Sequence, residues 1–128
     1  MKFIHISDIH LVSGDGPLNG CVPSDRLNKC IQDITKWHGD AKFCVISGDL
    51  SEYAEKGAYQ SLKKKLLEFQ IPCFLMIGNH DDRDLFQSVF TNNPCDENKF
   101  VQSSFETDEG VFIFLDTKKQ GINVHDGE

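Results

Sequence analysis

The stretch FLMIGNHDDR, Phe74 to Arg83, passes within one residue from an apolar run into a polar one, with Gly78 at the junction. Glycine admits backbone conformations closed to other residues, so a strand that ends on it can turn sharply and aim the side chains that follow. The same passage occurs twice upstream. KFIHIS (2–7) runs into Asp8 and His10, and KFCVIS (42–47) runs into Gly48 and Asp49. Between these two runs, Leu27, Cys30, Ile31 and Ile34 recur at helical spacing, with Ser24 as the expected N-cap and Gly39 at the exit. Between the second and third runs, Ala58, Leu62, Leu66 and Phe69 mark one face of another helix, which Pro72 stops. A short helix is expected over 84–90. KFVQSSFET and GVFIFLDT then read as an antiparallel strand pair around a turn near 108–110.

Strand–helix–strand–helix–strand, with strands apolar on both faces, is the pattern of a parallel sheet covered by helices. Right-handed crossovers place all three strand C-termini on one edge, where open sheets of this kind bind ligands. The fold class is therefore α/β, a βαβαβ parallel sheet followed by an antiparallel strand pair. If the chain stays extended after the first strand, Asp8 and His10 point the same way. The three junctions then bring Asp8, His10, Asp49, Asn79, His80, Asp81 and Asp82 to one edge. Carboxylates, an imidazole and an amide oxygen form the ligand mix of a metal of intermediate hardness, such as Mn, Fe, Zn or Co.

Bulk properties exclude several alternatives. The chain has 128 residues, the size of one modest domain, with 39% hydrophobic and 26% charged residues and a net charge of −7. That charge argues against a broad surface for duplex nucleic acid, yet leaves room for a small phosphate substrate once bound cations reverse the local field. No apolar run approaches the ~20 residues of a membrane span, and MKFIHISDIHL is too short and too interrupted for a signal peptide. Five cysteines without a C-x-x-C pair favour free thiols and a cytoplasmic location.

The order D-x-H (Asp8, His10), G-D (Gly48, Asp49) and G-N-H-D (Gly78 to Asp81) resembles the calcineurin-like metallophosphoesterases. MKFIHISDIHL, VISGDLSE and GNHDDR are most similar to the bacterial cyclic-nucleotide phosphodiesterase and glycerophosphodiesterase branch, over residues 1–117. The protein Ser/Thr phosphatases are less similar, because they carry a D-R-G element after G-D. The resemblance implies that Asp8 and His10 bind a first metal, Asp49 bridges two metals, and Asn79 binds the second. It implies that His80 stands beside the phosphate as hydrogen-bond donor or acid, and that a hydroxide shared by the two metals attacks phosphorus in line. The substrate so implied is a small phosphodiester. A nuclease or a phosphomonoesterase could use the same site, and an inactive scaffold is the non-enzymatic alternative. The family's G-H and G-H-x-H histidines are absent from this sequence. The chain then reads as the N-terminal part (1–128) of one domain, with the C-terminal half of a two-sheet sandwich missing. Weak metal binding, poor turnover and an exposed apolar sheet face that favours homo-oligomers are expected.

Simpler readings stand beside these. Asp and Asn after strands often only close turns, and Asp81 serves equally well as a neighbour's support or as the N-cap of the next helix. Arg83 is a candidate phosphate contact, although a solvated helix-start residue is the simpler expectation. His5 reads as a hydrogen-bonded structural histidine, His38 as a surface residue at a helix end, and His125 as a weak substitute ligand. GDGPLNG (14–20) lacks the spacing of a phosphate loop and reads as a flexible loop beside the site that influences substrate choice; KKK (63–65) reads as a solvated helix face.

Overall fold

The computed structural model describes residues 1–119; His125 lies outside them. Three short parallel strands, β1 (Ile4–Ile6), β2 (Cys44–Ile46) and β3 (Cys73–Leu75), form a sheet in the order β1-β2-β3. They align in register, Ile4 with Cys44 with Cys73 and Ile6 with Ile46 with Leu75. Helix α1 (Pro23–Trp37) and helix α2 (Lys56–Leu66) are the two crossovers, and α3 (Arg83–Val89) follows β3. An antiparallel hairpin, β4 (Ser103–Thr107) and β5 (Gly110–Phe114), completes the order. This is the α/β arrangement expected from the apolar runs.

Both faces of the sheet are covered, which explains why its strands lack polar alternation. On one face Cys44, Ile46 and Leu75 join Leu27, Ile31 and Ile34 of α1 and Ala58, Tyr59 and Leu62 of α2. On the other, Phe43, Val45, Phe74 and Met76 meet Phe105, Phe112 and Phe114 of the hairpin. The Phe43 ring is central there, with centroids 4.9 Å from Phe112 and 5.2 Å from Phe105 in edge-to-face geometry.

Several local expectations are corrected. Ser24 is not the N-cap of α1: Pro23 occupies the first helical turn, its fixed φ suited to that place, and the Val22 carbonyl accepts from Asp25 N at 3.1 Å. Phe69 lies past the end of α2, although it still packs on the core. The lysines of 63–65 are not simply a solvated face. Lys63 Nζ donates to the Val89 carbonyl at 2.7 Å, at the end of α3, and Lys65 Nζ donates to Asn28 Oδ1 of α1 at 2.7 Å. Residues 14–20, expected as a flexible loop, are hydrogen-bonded at both ends. Ser13 N donates to Glu55 Oε2 (3.1 Å), Ser61 Oγ donates to Asp15 Oδ1 (3.0 Å), and Leu18 and Cys21 close a tight hairpin. His5 is exposed and hydrogen-bonded to Ser47 Oγ at 2.7 Å.

Candidate metal centre

The three junctions do meet at the C-terminal edge of the sheet, but by another route than extended strands. Strand pairing stops at Ile6, and Asp8 (φ 56°), His10 (φ 46°) and Asp49 (φ 50°) all adopt the left-handed conformation, costly for residues with a Cβ. Same-side alternation therefore does not bring Asp8 and His10 together. Instead, the two loops run on side by side. Asp8 N donates to Gly48 O (3.1 Å), His10 N to Asp49 O (2.9 Å) and Leu11 N to Leu50 O (2.9 Å). These bonds hold the left-handed residues in place and turn their side chains to a common point.

The third loop is clamped to the second by Asp81, a fully buried carboxylate. It accepts from Leu50 N and Ser51 N of the β2 loop, Gly78 N of its own loop, and the Tyr59 hydroxyl of α2, all within 2.8–3.1 Å. Burial pushes its carboxyl above the usual range, and these donors oppose that rise. Asp81 is thus the support of its neighbours, and Asp82 is the N-cap, accepting from Leu85 N at 2.8 Å. The loops approach so closely that only glycine fits where they touch. A Cβ on Gly78 would lie 2.2 Å from Asp49 Oδ1, and one on Gly48 would lie 2.6 Å from Gly78 N.

Within this frame, His10 Nε2 lies 3.8 Å from Asp8 Oδ1 and 3.9 Å from Asp49 Oδ2. Those spacings are too long for hydrogen bonds, but two atoms that each bind a shared ion at about 2.1 Å sit roughly 3–4 Å apart. An imidazole nitrogen and two carboxylate oxygens thus fit one divalent cation. Asp49 Oδ1 is fixed by His80 N at 3.0 Å. Asn79 and His80 line a neighbouring cleft of about 500 Å³ together with Glu52, Tyr53 and Lys118.

Glu52 escaped the sequence reading, although it lies three residues past Asp49. Its carboxylate is 2.7 Å from His10 Nδ1, off the axis of a well-formed hydrogen bond, and 3.9 Å from His80 Nδ1. Its backbone carbonyl lies 3.0 Å from His80 Nδ1. A carbonyl only accepts, so Nδ1 of His80 carries the proton of that contact; at His10 a lone pair would repel the nearby carboxylate, which favours the Nδ1–H tautomer there without a well-formed hydrogen bond. Both rings then present Nε2 lone pairs when neutral. A second group of potential ligand atoms, from His10, Glu52 and His80, falls within 4.8 Å. The Nδ1 of His80 is already engaged by the Glu52 carbonyl, so this group suits a cation less well than the first.

Arg83 is not a solvated helix-start residue. It is 6% exposed, and its guanidinium pairs side-on with Asp116, Nε to Oδ2 at 2.7 Å and Nη2 to Oδ1 at 3.0 Å. It also donates to the Lys118 carbonyl and stacks on Phe100 at 4.5 Å. Burial pushes the Asp116 carboxyl up, but Arg83 and the amides of Val101 and Lys118 outweigh it and hold it below the usual range.

Comparison with known proteins agrees with this architecture. The chain is 33% identical over 127 residues to a probable cyclic nucleotide phosphodiesterase of Rhodopseudomonas palustris, an alignment covering 99% of this chain and 46% of that one. It is 36% identical over 85 residues to the cAMP/cGMP dual specificity phosphodiesterase of Mycobacterium tuberculosis, covering 62% and 27%. A dimetal phosphatase from Danio rerio shares the fold at a TM-score of 0.68 and 14% identity, covering 96% of this chain and 48% of that structure. The chain spans about half the length, or less, of these relatives. The sequence profile described as calcineurin-like phosphoesterase matches residues 1–128. With D-x-H, G-D and G-N-H-D carried to one sheet edge on this fold, the chain belongs to the calcineurin-like phosphoesterase family.

Proposed function

We propose that residues 1–128 form the N-terminal part of a single phosphodiesterase domain that hydrolyses small phosphodiesters, of the cyclic nucleotide or glycerophosphodiester type, with two bound metal ions. The observation that carries this reading is the convergence of Asp8 Oδ1 and Asp49 Oδ2 on His10 Nε2 at 3.8 and 3.9 Å. Asp8, His10 and Asp49 would hold the first ion, and Asp49 and the side-chain oxygen of Asn79 would serve the second. Mn, Fe, Zn and Co all suit this donor set. Bound ions of this kind supply Lewis acidity toward a phosphoryl oxygen and a water of lowered pKa.

The chain's own residues do the rest. Asp49 stays in one orientation because His80 N holds its Oδ1. His80 Nε2 faces the phosphate. With Nδ1–H committed to the Glu52 carbonyl, it accepts a proton when neutral and donates one only as imidazolium, the state that serves a leaving oxygen. Arg83, paired with Asp116, braces α3 against the end of β5 rather than reaching substrate. The names of the bacterial relatives favour cyclic nucleotides. All five cysteines are free thiols, in keeping with a cytoplasmic location, and no described helix is long and apolar enough to cross a membrane.

Isothermal titration with Mn²⁺ tests the site. Asp49→Ala is expected to weaken the tightest Mn²⁺ binding by at least about tenfold, since it removes a ligand from both positions. Unaltered Mn²⁺ binding in that variant would overturn the assignment. Hydrolysis of bis(p-nitrophenyl) phosphate, cyclic AMP, a glycerophosphodiester and single-stranded DNA separates the substrate classes. From this chain alone, with four protein ligands for two ions, slow turnover is expected.

A further inference from the structure

A second cleft, of about 450 Å³, also has His10 in its lining. It is lined by Asp8 and His10, by Leu18 and Asn19 of the pinned hairpin, and by Arg26 and Leu27 of α1. Its volume falls in the ~300–1,000 Å³ range of small-molecule sites, and a glycerol substituent would leave most of it empty. The hairpin wall is stiff. Leu18 and Cys21 exchange both backbone hydrogen bonds, at 2.7 and 3.0 Å, with Asn19 and Gly20 in left-handed conformations between them. Its base is tied to α2 through Ser13–Glu55 and Asp15–Ser61, and Gly57 lets Ser13 seat against the helix, since a Cβ there would lie 2.2 Å from Ser13 Oγ.

Arg26 is the cation of this cleft. It is exposed and, among the described residues, has no carboxylate within ion-pair distance, although the chain is acidic; its guanidinium reaches only Cys21 Sγ, at 4.0 Å. A planar guanidinium in a cleft also lined by Ile6, Ile9, Leu18 and Leu27 suits a flat, acceptor-bearing group. It can stack on that group or donate to it in pairs, as arginine does to the acceptor edge of guanine.

We propose that this cleft receives the organic substituent of the phosphodiester, and that Arg26 is a specificity-determining residue selecting a purine nucleoside over small alcohols. The inference rests on the phosphodiesterase reading above. Calorimetric titration of the Mn²⁺-loaded chain with inorganic phosphate, glycerol 3-phosphate and guanosine 5′-monophosphate tests it. The nucleotide is expected to bind about tenfold tighter than glycerol 3-phosphate, and Arg26→Ala to lower that ratio at least about fivefold, the scale of one lost bidentate contact. Arg26→Lys, which keeps the charge without the plane, should restore less than half of it. Amide NMR shifts at residues 18–21 should respond to the nucleotide and not to phosphate. A ratio that Arg26→Ala leaves in place, or a nucleotide no tighter than glycerol 3-phosphate, overturns the pocket alone. Failure of all three ligands to bind overturns the metal-site reading and the pocket with it.

Discussion

Glu52 shows how much of this site depends on single atoms. One residue contacts both imidazoles, its carboxylate at His10 Nδ1 and its backbone carbonyl at His80 Nδ1. Glu52→Ala removes the first contact and keeps the second, so His80 is an internal control. In long-range ¹⁵N NMR spectra of the metal-free chain, His10 should lose its preference for the Nδ1–H tautomer while His80 keeps its own. Mn²⁺ affinity should fall about tenfold, as when an outer partner of a ligating histidine is removed. An unchanged His10 tautomer would count against the role. No pattern in the sequence distinguishes Glu52 from Glu55 or any other surface carboxylate, because its importance comes from where the β2 loop carries it. Asp81 was equally ambiguous. Only the closed loops show a carboxylate surrounded by donors while Asp82 caps the helix.

At the scale of elements, the junction of α3 with the end of β5 is held by the Arg83–Asp116 pair, whose side chains are 6% and 0% exposed. Removing one partner of a buried pair strands the other charge, so Asp116→Ala should destabilise the chain by about 3 kcal/mol near neutral pH. The sign of the pH dependence follows from the depressed carboxyl of Asp116. Its contribution is fully present above the unfolded value, near about 3.9, and is lost as the pH falls through the lower folded value. Urea denaturation of wild type and variant from pH 6 downward should therefore show a gap that is constant to about pH 4 and narrows below it. A gap that widens in acid would refute the account. The helices themselves were legible from their spacing: Leu27, Ile31 and Ile34 do form the buried face of α1, and Ala58 and Leu62 that of α2. Their starts were less so. Ser24 satisfies a capping rule as well as Pro23 satisfies a first-turn rule, and the packing of the loop before them decides between the two.

Across the molecule, among the described residues, the outer side of the hairpin is uncovered. Val111 and Ile113 of β5 and Leu115 just past its end are 60%, 67% and 54% exposed, alternating with the buried Phe114 and Asp116. Three aligned apolar side chains on a strand favour association, and lysines on such a face oppose it. In sedimentation velocity the wild-type chain should self-associate, and Val111→Lys/Ile113→Lys should sediment as a monomer with stability within about 0.5 kcal/mol. A monomeric wild type would show that the stripe carries no such interaction. The sequence by itself determined the α/β order, the parallel sheet and the three polar strand-end junctions, because apolar runs, helical spacing and glycine at a strand end are local signals. The tertiary structure alone decided how Asp8, His10 and Asp49 converge, through left-handed turns laced by hydrogen bonds between neighbouring loops. It alone showed that Arg83 is buried, that residues 14–20 are tied to α2, and that Glu52 lies against two histidines. Each of these depends on contacts between segments tens of residues apart, which spacing along the chain does not encode.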